Sequence, residues 1–185
     1  MKSLNQIISS IDEQLAQVQE FDSSPASHFI FGEQEKMRRY VLVSIGLEKL
    51  AIPIDGLSEI SHMPEITSLP GLPSWIYGIA NRRGEIVSVI DLNNLLIPER
   101  APAAPGAKLG VLFNENLKVG ISIDQVIATV SRPESDRVAN TDSRLAQVFP
   151  EVFSKGLQVD STIYQILAPD LFLGLENLHN YQANG

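Results

Sequence analysis

The chain has 185 residues and a formal net charge of −8, with 14 lysines and arginines against 22 aspartates and glutamates. This acidic balance argues against a general nucleic-acid binder, because a phosphate backbone selects for clustered basic residues. The sequence contains no cysteine, which excludes a disulfide scaffold, a thiol nucleophile and any cysteine-based metal site.

Residues 1–38 are predicted to form an amphipathic helix and a linker that precede the main body. Apolar residues recur at steps of three and four positions from Leu4 to Val18, as on one helix face, and Pro25 then breaks the pattern. The region lacks the apolar core of a signal peptide, and no stretch approaches the ~18 apolar residues of a membrane span. The helix either lies outside the main body or packs on its own domain, and the pattern leaves both possibilities open.

From Tyr40 onward, apolar residues alternate with a period of two, which predicts β-strands. The segments YVLVSIG and LAIPID form the first predicted hairpin. Short strands at close spacing favour barrels or sandwiches over a parallel sheet with crossover helices. Further strands are predicted at 57–62, 76–81, 85–90, 108–113, 117–123, 126–131, 154–159 and 162–167.

The β region contains an internal repeat. IPIDGLSEISHMP (52–64) and ISIDQVIATVSRP (121–133) align without a gap, and both contain Ile-x-Ile-Asp and end in proline. A looser match relates NRRG at 81–84 to FSKG at 153–156. Two β-barrels of related build are the simplest interpretation.

The domain boundaries follow from a stretch rich in proline and alanine at 98–107. We expect one domain over 39–178, with halves at roughly 39–97 and 107–178, and a tail over 179–185.

The turn in IANRRGEIVSVIDL places two arginines and a glycine between apolar runs, where it could hold phosphate, carry chemistry or pair with an acid. It does not fit a phosphate loop, because five residues separate Gly78 from Gly84 and Glu85 follows directly. An arginine among apolar strands needs an anionic partner to offset its desolvation. Glu59 is the candidate partner of Arg83.

The other residues whose side chains could bind a metal or carry out catalysis are better explained by structural roles. His28, His62 and His179 lack further ligands at metal-binding spacing, so neither a metal site nor a cofactor is expected. No G-x-S-x-G elbow is present, although a serine triad can assemble in space from distant residues. Asp55 and Asp124 follow strands at matching points, where aspartate accepts backbone N–H groups in turns and caps.

Two segments closely resemble the CheW-like domain family, which supplies coupling proteins of bacterial chemosensory systems and the regulatory domain of their histidine kinases. They are YVLVSIGLEKLAIPIDGLSEI and LPGLPSWIYGIANRRGEIVSVIDLNNLL. The family hallmark is Asn-Leu-Arg-Gly followed by a strand ending in Ile-Asp-Leu, found here at 81–84 and 90–92. Arg82 replaces the usual apolar residue, and Ser88 stands where proline is common. The resemblance covers roughly 40–175.

The resemblance implies a mainly β fold: two five-stranded SH3-like β-barrels packed on a shared core, with short helices. It also implies the ion pair Glu59–Arg83, because the family pairs an acid on the early strand with the hallmark arginine. Members have no catalytic activity of their own. One barrel binds the regulatory domain of the kinase, and a groove between the barrels receives the tip of a chemoreceptor.

The same resemblance assigns candidate contact residues. Ile66, Gly78, Gly84 and Ile86 match positions on the kinase-facing surface, and Leu57, Ile60 and Val111 are assigned to the receptor groove. Apolar strand residues also form cores, so a packing role stays open for them.

The implied partners are the regulatory domain of a CheA-type histidine kinase and the cytoplasmic tip of a methyl-accepting chemotaxis receptor, with no nucleic acid and no membrane insertion. We therefore expect a non-enzymatic cytoplasmic adaptor at receptor arrays near the inner membrane, acting in chemotaxis or pilus-based motility. The alternatives are a scaffold that binds the kinase but not the receptor and, from a different class, a small β-fold hydrolase.

Overall fold

The computed structural model describes residues 35–96, 106–139 and 143–179, so the predicted N-terminal helix and most of the proline-rich connection lie outside it. Within these ranges the chain forms eleven strands and four short α-helices. The strands are β1 (Met37–Ile45), β2 (Glu48–Pro53), β3 (Leu57–His62), β4 (Ile76–Arg82), β5 (Glu85–Ile90), β6 (Lys108–Phe113), β7 (Lys118–Ile123), β8 (Gln125–Pro133), β9 (Arg137–Ala139), β10 (Lys155–Val159) and β11 (Thr162–Ile166). The helices are α1 (Leu92–Leu96), α2 (Arg144–Val148), α3 (Pro169–Leu173) and α4 (Glu176–His179).

The strands form two sheets, and the mainly β prediction is confirmed. One sheet has five strands in the order β3-β6-β7-β5-β4, as expected for a five-stranded barrel. The other has six, in the order β8-β1-β2-β11-β10-β9. The extra strand, β9, is three residues long and was not predicted, since it is too short to show an alternating pattern. The predicted linker, which ends at residue 38, also overlaps the first strand, because β1 begins at Met37.

The two sheets do not coincide with the predicted halves at 39–97 and 107–178. Strands β1 and β2 join the C-terminal strands, and β6 and β7 join β3, β4 and β5. The cause lies in two short crossovers, because β2 leads into β3 of the other sheet and β7 leads into β8 of the other sheet. The halves therefore exchange their first two strands.

Strand pairing supports the internal repeat. Tyr40 pairs with Pro53 in the first hairpin and Leu109 pairs with Ser122 in its counterpart, so both partners are displaced by 69 positions (109 minus 40 and 122 minus 53). A β-bulge interrupts β3 after Leu57 and β8 after Val126, leaving Ser58 and Ile127 as the extra residues. These residues are also 69 positions apart, so segments 52–64 and 121–133 are equivalent in structure.

The hairpins β4–β5 and β10–β11 are equivalent as well. Arg83 follows β4 with a φ of 52°, and Asp160 follows β10 with a φ of 53°. Both residues open two-residue turns, because Arg82 pairs with Glu85 and Val159 pairs with Thr162. The predicted match between NRRG and FSKG is therefore wrong, since FSKG at 153–156 lies around the start of β10 rather than at its turn.

The buried residues form a shared core and a smaller core for each sheet. In β1, Val41 and Val43 belong to the shared core, whereas Tyr40 and Leu42 belong to the core of the six-stranded sheet. Full burial of one such side chain contributes roughly 1.5–3 kcal/mol to the stability of the folded state. The shared core draws on both sheets and on α2 and α3, and includes Leu50, Ile52, Leu112, Ile121, Leu145 and Phe172. The core of the five-stranded sheet contains Ala80, Val87, Val89, Leu109 and Val111.

Three aspartates tie the elements together. Asp124 accepts a hydrogen bond from the backbone N–H of Gly46 at 2.6 Å, which is the turn role expected for it. Asp55 instead forms an ion pair with Arg38. Asp91 is buried and accepts from the Asn94 backbone N–H at 3.1 Å at the start of α1. The aspartate of the hallmark motif therefore caps a helix.

Candidate functional site

Glu59 and Arg82 meet where the two edges of the five-stranded sheet approach each other. Glu59 lies on β3 and Arg82 ends β4, and these are the outermost strands of that sheet. Arg82 Nε and Nη2 each lie 2.8 Å from Glu59 Oε1. The side chains are 27% and 18% exposed, so the pair is largely shielded from water. It therefore links two strands that share no backbone ladder.

Strand alternation explains why these two side chains converge. Arg82 comes two positions after the buried Ala80, so both side chains point to the same face of β4. Glu59 pairs across the sheet with Val111, which is also buried. All four side chains therefore face the core of the five-stranded sheet, with the ion pair at its end.

The two residues after Arg82 form a tight turn. Arg83 and Gly84 have φ values of 52° and 86°, and two positive φ values in a two-residue hairpin loop define a type I′ turn. The Asn81 side chain accepts a hydrogen bond from the Gly84 backbone N–H at 3.0 Å. This bond fixes the turn, and Gly84 supplies the left-handed conformation without a steric cost.

A second ion pair completes the charged site. Lys118 Nζ lies 2.6 Å from Glu85 Oε2, and both side chains are substantially exposed. The two ion pairs surround a depression of about 250 Å³. Its lining consists of Ser58, Glu59, Arg82, Arg83, Glu85, Val87, Val111 and Lys118. The depression has a charged rim and an apolar floor.

The structure corrects the expected role of Arg83. Its Nη2 lies 3.3 Å from Glu59 Oε2, so the contact exists, but the Arg83 side chain is 83% exposed. The shielded arginine is Arg82, which replaces the apolar residue of the family pattern. The reason is that Arg83 lies in the turn, whereas Arg82 is still within the alternation of β4.

The residues assigned to the kinase-facing surface differ in exposure. Ile86 is 63% exposed on β5, directly after the exposed Gly84 and Glu85. Ile66 is half-buried against the core of the five-stranded sheet. Gly78 is buried, and a Cβ there would lie 2.2 Å from the Thr67 carbonyl oxygen, so it permits the close approach of the Thr67 backbone. Ile86 and Gly84 are thus the residues of this set that are open to a partner.

The residues assigned to the receptor groove are less accessible than expected. Leu57 and Ile60 are half-buried and pack against the shared core. Val111 is 5% exposed and belongs to the core of the five-stranded sheet. Val111 therefore offers little surface to a partner, although it lines the floor of the charged depression, and its assignment to the receptor groove stays a prediction.

Sequence reasoning missed the counterpart of this hairpin in the other sheet. Ile163 on β11 is equivalent to Ile86 and is also exposed, at 43%. Asp160 is equivalent to Arg83 and carries the opposite charge. A register-based alignment of the two hairpins, centred on their turns, could have found both residues. The hairpins β4–β5 and β10–β11 thus have the same build, and each has an exposed isoleucine and a charged residue in its turn.

The described residues show no cluster of three or more histidine, cysteine, aspartate or glutamate side chains that could hold a metal ion. His62 is exposed at the end of β3, and the ring of His179 lies 2.8 Å from the Leu173 carbonyl oxygen. His28 lies outside the described residues. None of the helices in the described ranges is long and apolar enough to cross a membrane.

Comparison with known proteins identifies the domain. The model of the CheW-like domain family matches residues 39–175. Protein PilI of Pseudomonas aeruginosa is 31% identical over 74 residues, which are 40% of this chain and 42% of that protein. Protein FrzA of Myxococcus xanthus is 29% identical over 92 residues, 50% of this chain and 58% of that protein. Chemotaxis protein CheW of Treponema pallidum is 31% identical over 100 residues, 52% of this chain and 59% of that protein.

These matches span about half the length of the curated relatives. A solved structure of the scaffolding protein TtCheW from Thermoanaerobacter tengcongensis has the same fold, with a TM-score of 0.66 at 19% identity. The superposition covers 80% of this chain and 97% of that one.

Proposed function

Since the chain belongs to the CheW-like domain family, we propose that it is a non-catalytic adaptor coupling methyl-accepting chemoreceptors to a CheA-type histidine kinase. The relatives named PilI, FrzA and chemotaxis protein CheW support a role in a chemosensory system for chemotaxis or pilus-based motility. Such an adaptor would act in the cytoplasm, at receptor arrays near the inner membrane.

The observation that carries the proposal is the exposed isoleucine on the β4–β5 hairpin. Ile86 is 63% exposed on a strand that the β4 ladder and the parallel β7 pairing hold on both sides. A rigid strand presents an apolar side chain at little entropic cost, which favours protein binding. Gly84 beside it allows a partner backbone to approach closely. We assign this hairpin to the kinase regulatory domain.

Ile66 and Gly78 support this surface from positions that are less exposed, because Ile66 is half-buried and Gly78 is buried. Gly78 lets the segment around Thr67 pair closely alongside β4, where Thr67 and Ile79 exchange backbone hydrogen bonds of 2.8 and 3.0 Å in an antiparallel bridge. This bridge fixes the edge of the sheet next to the hairpin. A partner of modest interface area would then depend on a few central residues, with Ile86 foremost.

The receptor tip is assigned to the region of Leu57 and Ile60, which flank two lining residues of the charged depression in the chain and whose half-buried side chains pack against the shared core. An amphipathic helical hairpin could place apolar residues against them. The test is co-purification of the full chain with the isolated kinase regulatory domain and, separately, with a cytoplasmic receptor fragment.

Binding of both partners supports the coupling role. Binding of the kinase domain alone would favour the scaffold that does not contact receptors. Turnover of a generic ester or phosphate substrate by the purified chain would favour the hydrolase alternative instead.

A further inference from the structure

Two depressions lie side by side near the start of β1 and the start of β9. The larger has a volume of about 450 Å³ and the smaller about 270 Å³. Both are lined by Glu134 and Arg137, so they adjoin each other at these two residues. The larger also contains Lys36, Met37, Arg38, Arg39, Ile54 and Asp55, and the smaller Val138, Ala139, Ser154 and Lys155.

This surface is cationic in an acidic protein. Its lining carries five lysine or arginine side chains and two carboxylates, whereas the whole chain has a net charge of −8. The two carboxylates are already engaged, because Asp55 pairs with Arg38 and Glu134 pairs with Arg137. Lys36, Arg39 and Lys155 have no ion-pair partner within the part of the chain that the structure describes. Among the described residues, three positive charges of this surface therefore have no paired carboxylate.

Arg137 is held in place between the two depressions. Its side chain is 14% exposed, its Nη1 pairs with Glu134, and its Nε donates a 3.0 Å hydrogen bond to Tyr40 Oη. Tyr40 is itself fixed in the core of the six-stranded sheet. A guanidinium group has five N–H donors, so Arg137 has donors left for a further acceptor. Because its position is already fixed, binding a carboxylate there costs little conformational entropy.

We propose that this surface binds an extended acidic peptide segment of a partner protein. The shape supports a peptide, because the cations run through two adjoining depressions and a single small anion would occupy only one. Carboxylates at several positions would meet Arg39 in the larger depression, Arg137 at the centre and Lys155 in the smaller one. The proposal is independent of the adaptor role, because these residues belong to the six-stranded sheet and its flanks rather than to the β4–β5 hairpin.

The test uses the full chain and fluorescence anisotropy with fluorescein-labelled hexaglutamate, with labelled hexaglutamine as the neutral probe. Hexaglutamate should bind at low ionic strength and hexaglutamine should not. Added salt should weaken the binding, because it screens exposed charges. Equal anisotropy changes with the two peptides would overturn the proposal.

Two variants and one matched control locate the binding. Arg39→Glu and Lys155→Glu should each weaken hexaglutamate binding about tenfold, since each replaces attraction by repulsion at one depression. Arg144→Glu makes the same charge change at an exposed position of α2 outside both depressions and should change affinity less than about twofold. All three side chains are exposed, so the variants should fold, and circular dichroism checks this.

Three results would overturn the proposal. If Arg39→Glu and Arg144→Glu weaken binding equally, the effect is one of net charge and no site exists. If Lys155→Glu has no effect while Arg39→Glu does, the contact is confined to the larger depression and no extended segment spans both. If the chain binds vesicles of anionic phospholipid but not hexaglutamate, the surface serves a membrane rather than a peptide.

Discussion

Glu59 and Arg82 lie on the two outer strands of the five-stranded sheet, and their 2.8 Å ion pair joins edges that share no backbone ladder. The six-stranded sheet has a different connection, because its outer strands β8 and β9 follow each other in the chain through a short 3₁₀ turn at Glu134–Asp136. A side-chain contact in one sheet thus takes the place of a chain connection in the other. Arg82 forms this contact, and Arg83 is left facing solvent beside it.

The first prediction concerns the two arginines. Arg82→Ala should lower the free energy of unfolding by about 1–3 kcal/mol, because it leaves a shielded carboxylate without its main partner. Arg83→Ala should lower it by less than about 1 kcal/mol, since the Arg83 side chain is exposed and its contact is longer. Urea unfolding of the two variants measures both values. A larger loss of unfolding free energy for Arg83→Ala would mean that Arg83, rather than Arg82, joins the two sheet edges.

The second prediction is a pair of double-mutant cycles. Glu59→Ala combined with Arg82→Ala should give a coupling free energy of about 1–2 kcal/mol, because the two groups contact each other in a shielded position. The Glu85–Lys118 pair is a control within the same depression, and its exposed side chains should couple by less than about 0.5 kcal/mol. Coupling energies of equal size would mean that shielding by the sheet edges contributes nothing.

The third prediction compares two glycines with positive φ. Gly78→Ala should destabilise the domain by more than about 2 kcal/mol, because its Cβ would lie 2.2 Å from the Thr67 carbonyl oxygen at a φ of 140°. Gly84→Ala should cost about 1 kcal/mol, since only its φ of 86° opposes the change and nothing lies within 4 Å. Thermal unfolding ranks the two variants. Equal melting temperatures would show that the backbone pairing of Thr67 with β4 relaxes easily.

Several features of the fold were predictable because each has a local cause. The alternation in β1 through β8 produced strand boundaries within a few residues of those observed, since the period of two reflects burial of one or both faces. The gapless match of 52–64 with 121–133 predicted equivalent structures, and it extends to the position of the β-bulges.

Other features depend on contacts that local patterns do not encode. A crossover of a few residues does not reveal which sheet receives the next strand, so the exchange of β1 and β2 was missed. The role of Arg82 was a different kind of error, because the signal was present. Arg82 is two positions after the buried Ala80 and therefore follows the alternation of β4, whereas Arg83 lies beyond the end of the strand. The family pattern nevertheless favoured Arg83 as the partner of the acid.

Val111 shows why apolar strand residues are poor evidence for a binding surface. It fits a receptor groove by position, yet its pairing with Glu59 directs it into the core of its own sheet. Ile86 is also an apolar residue on a strand, but it lies at the surface, because 63% of it is exposed. Exposure in the folded chain separates the two residues, and sequence position does not.

The most direct measurement of the adaptor role is a calorimetric titration of the isolated kinase regulatory domain into the wild-type chain and into Ile86→Asp. The β4–β5 assignment predicts that Ile86→Asp weakens binding at least about tenfold, because it places a charge in the centre of an apolar contact. Ile163→Asp, the equivalent change on the β10–β11 hairpin, should leave this affinity nearly unchanged, and circular dichroism confirms that both variants fold. Absence of binding by the wild type, or a greater loss with Ile163→Asp than with Ile86→Asp, would contradict the account.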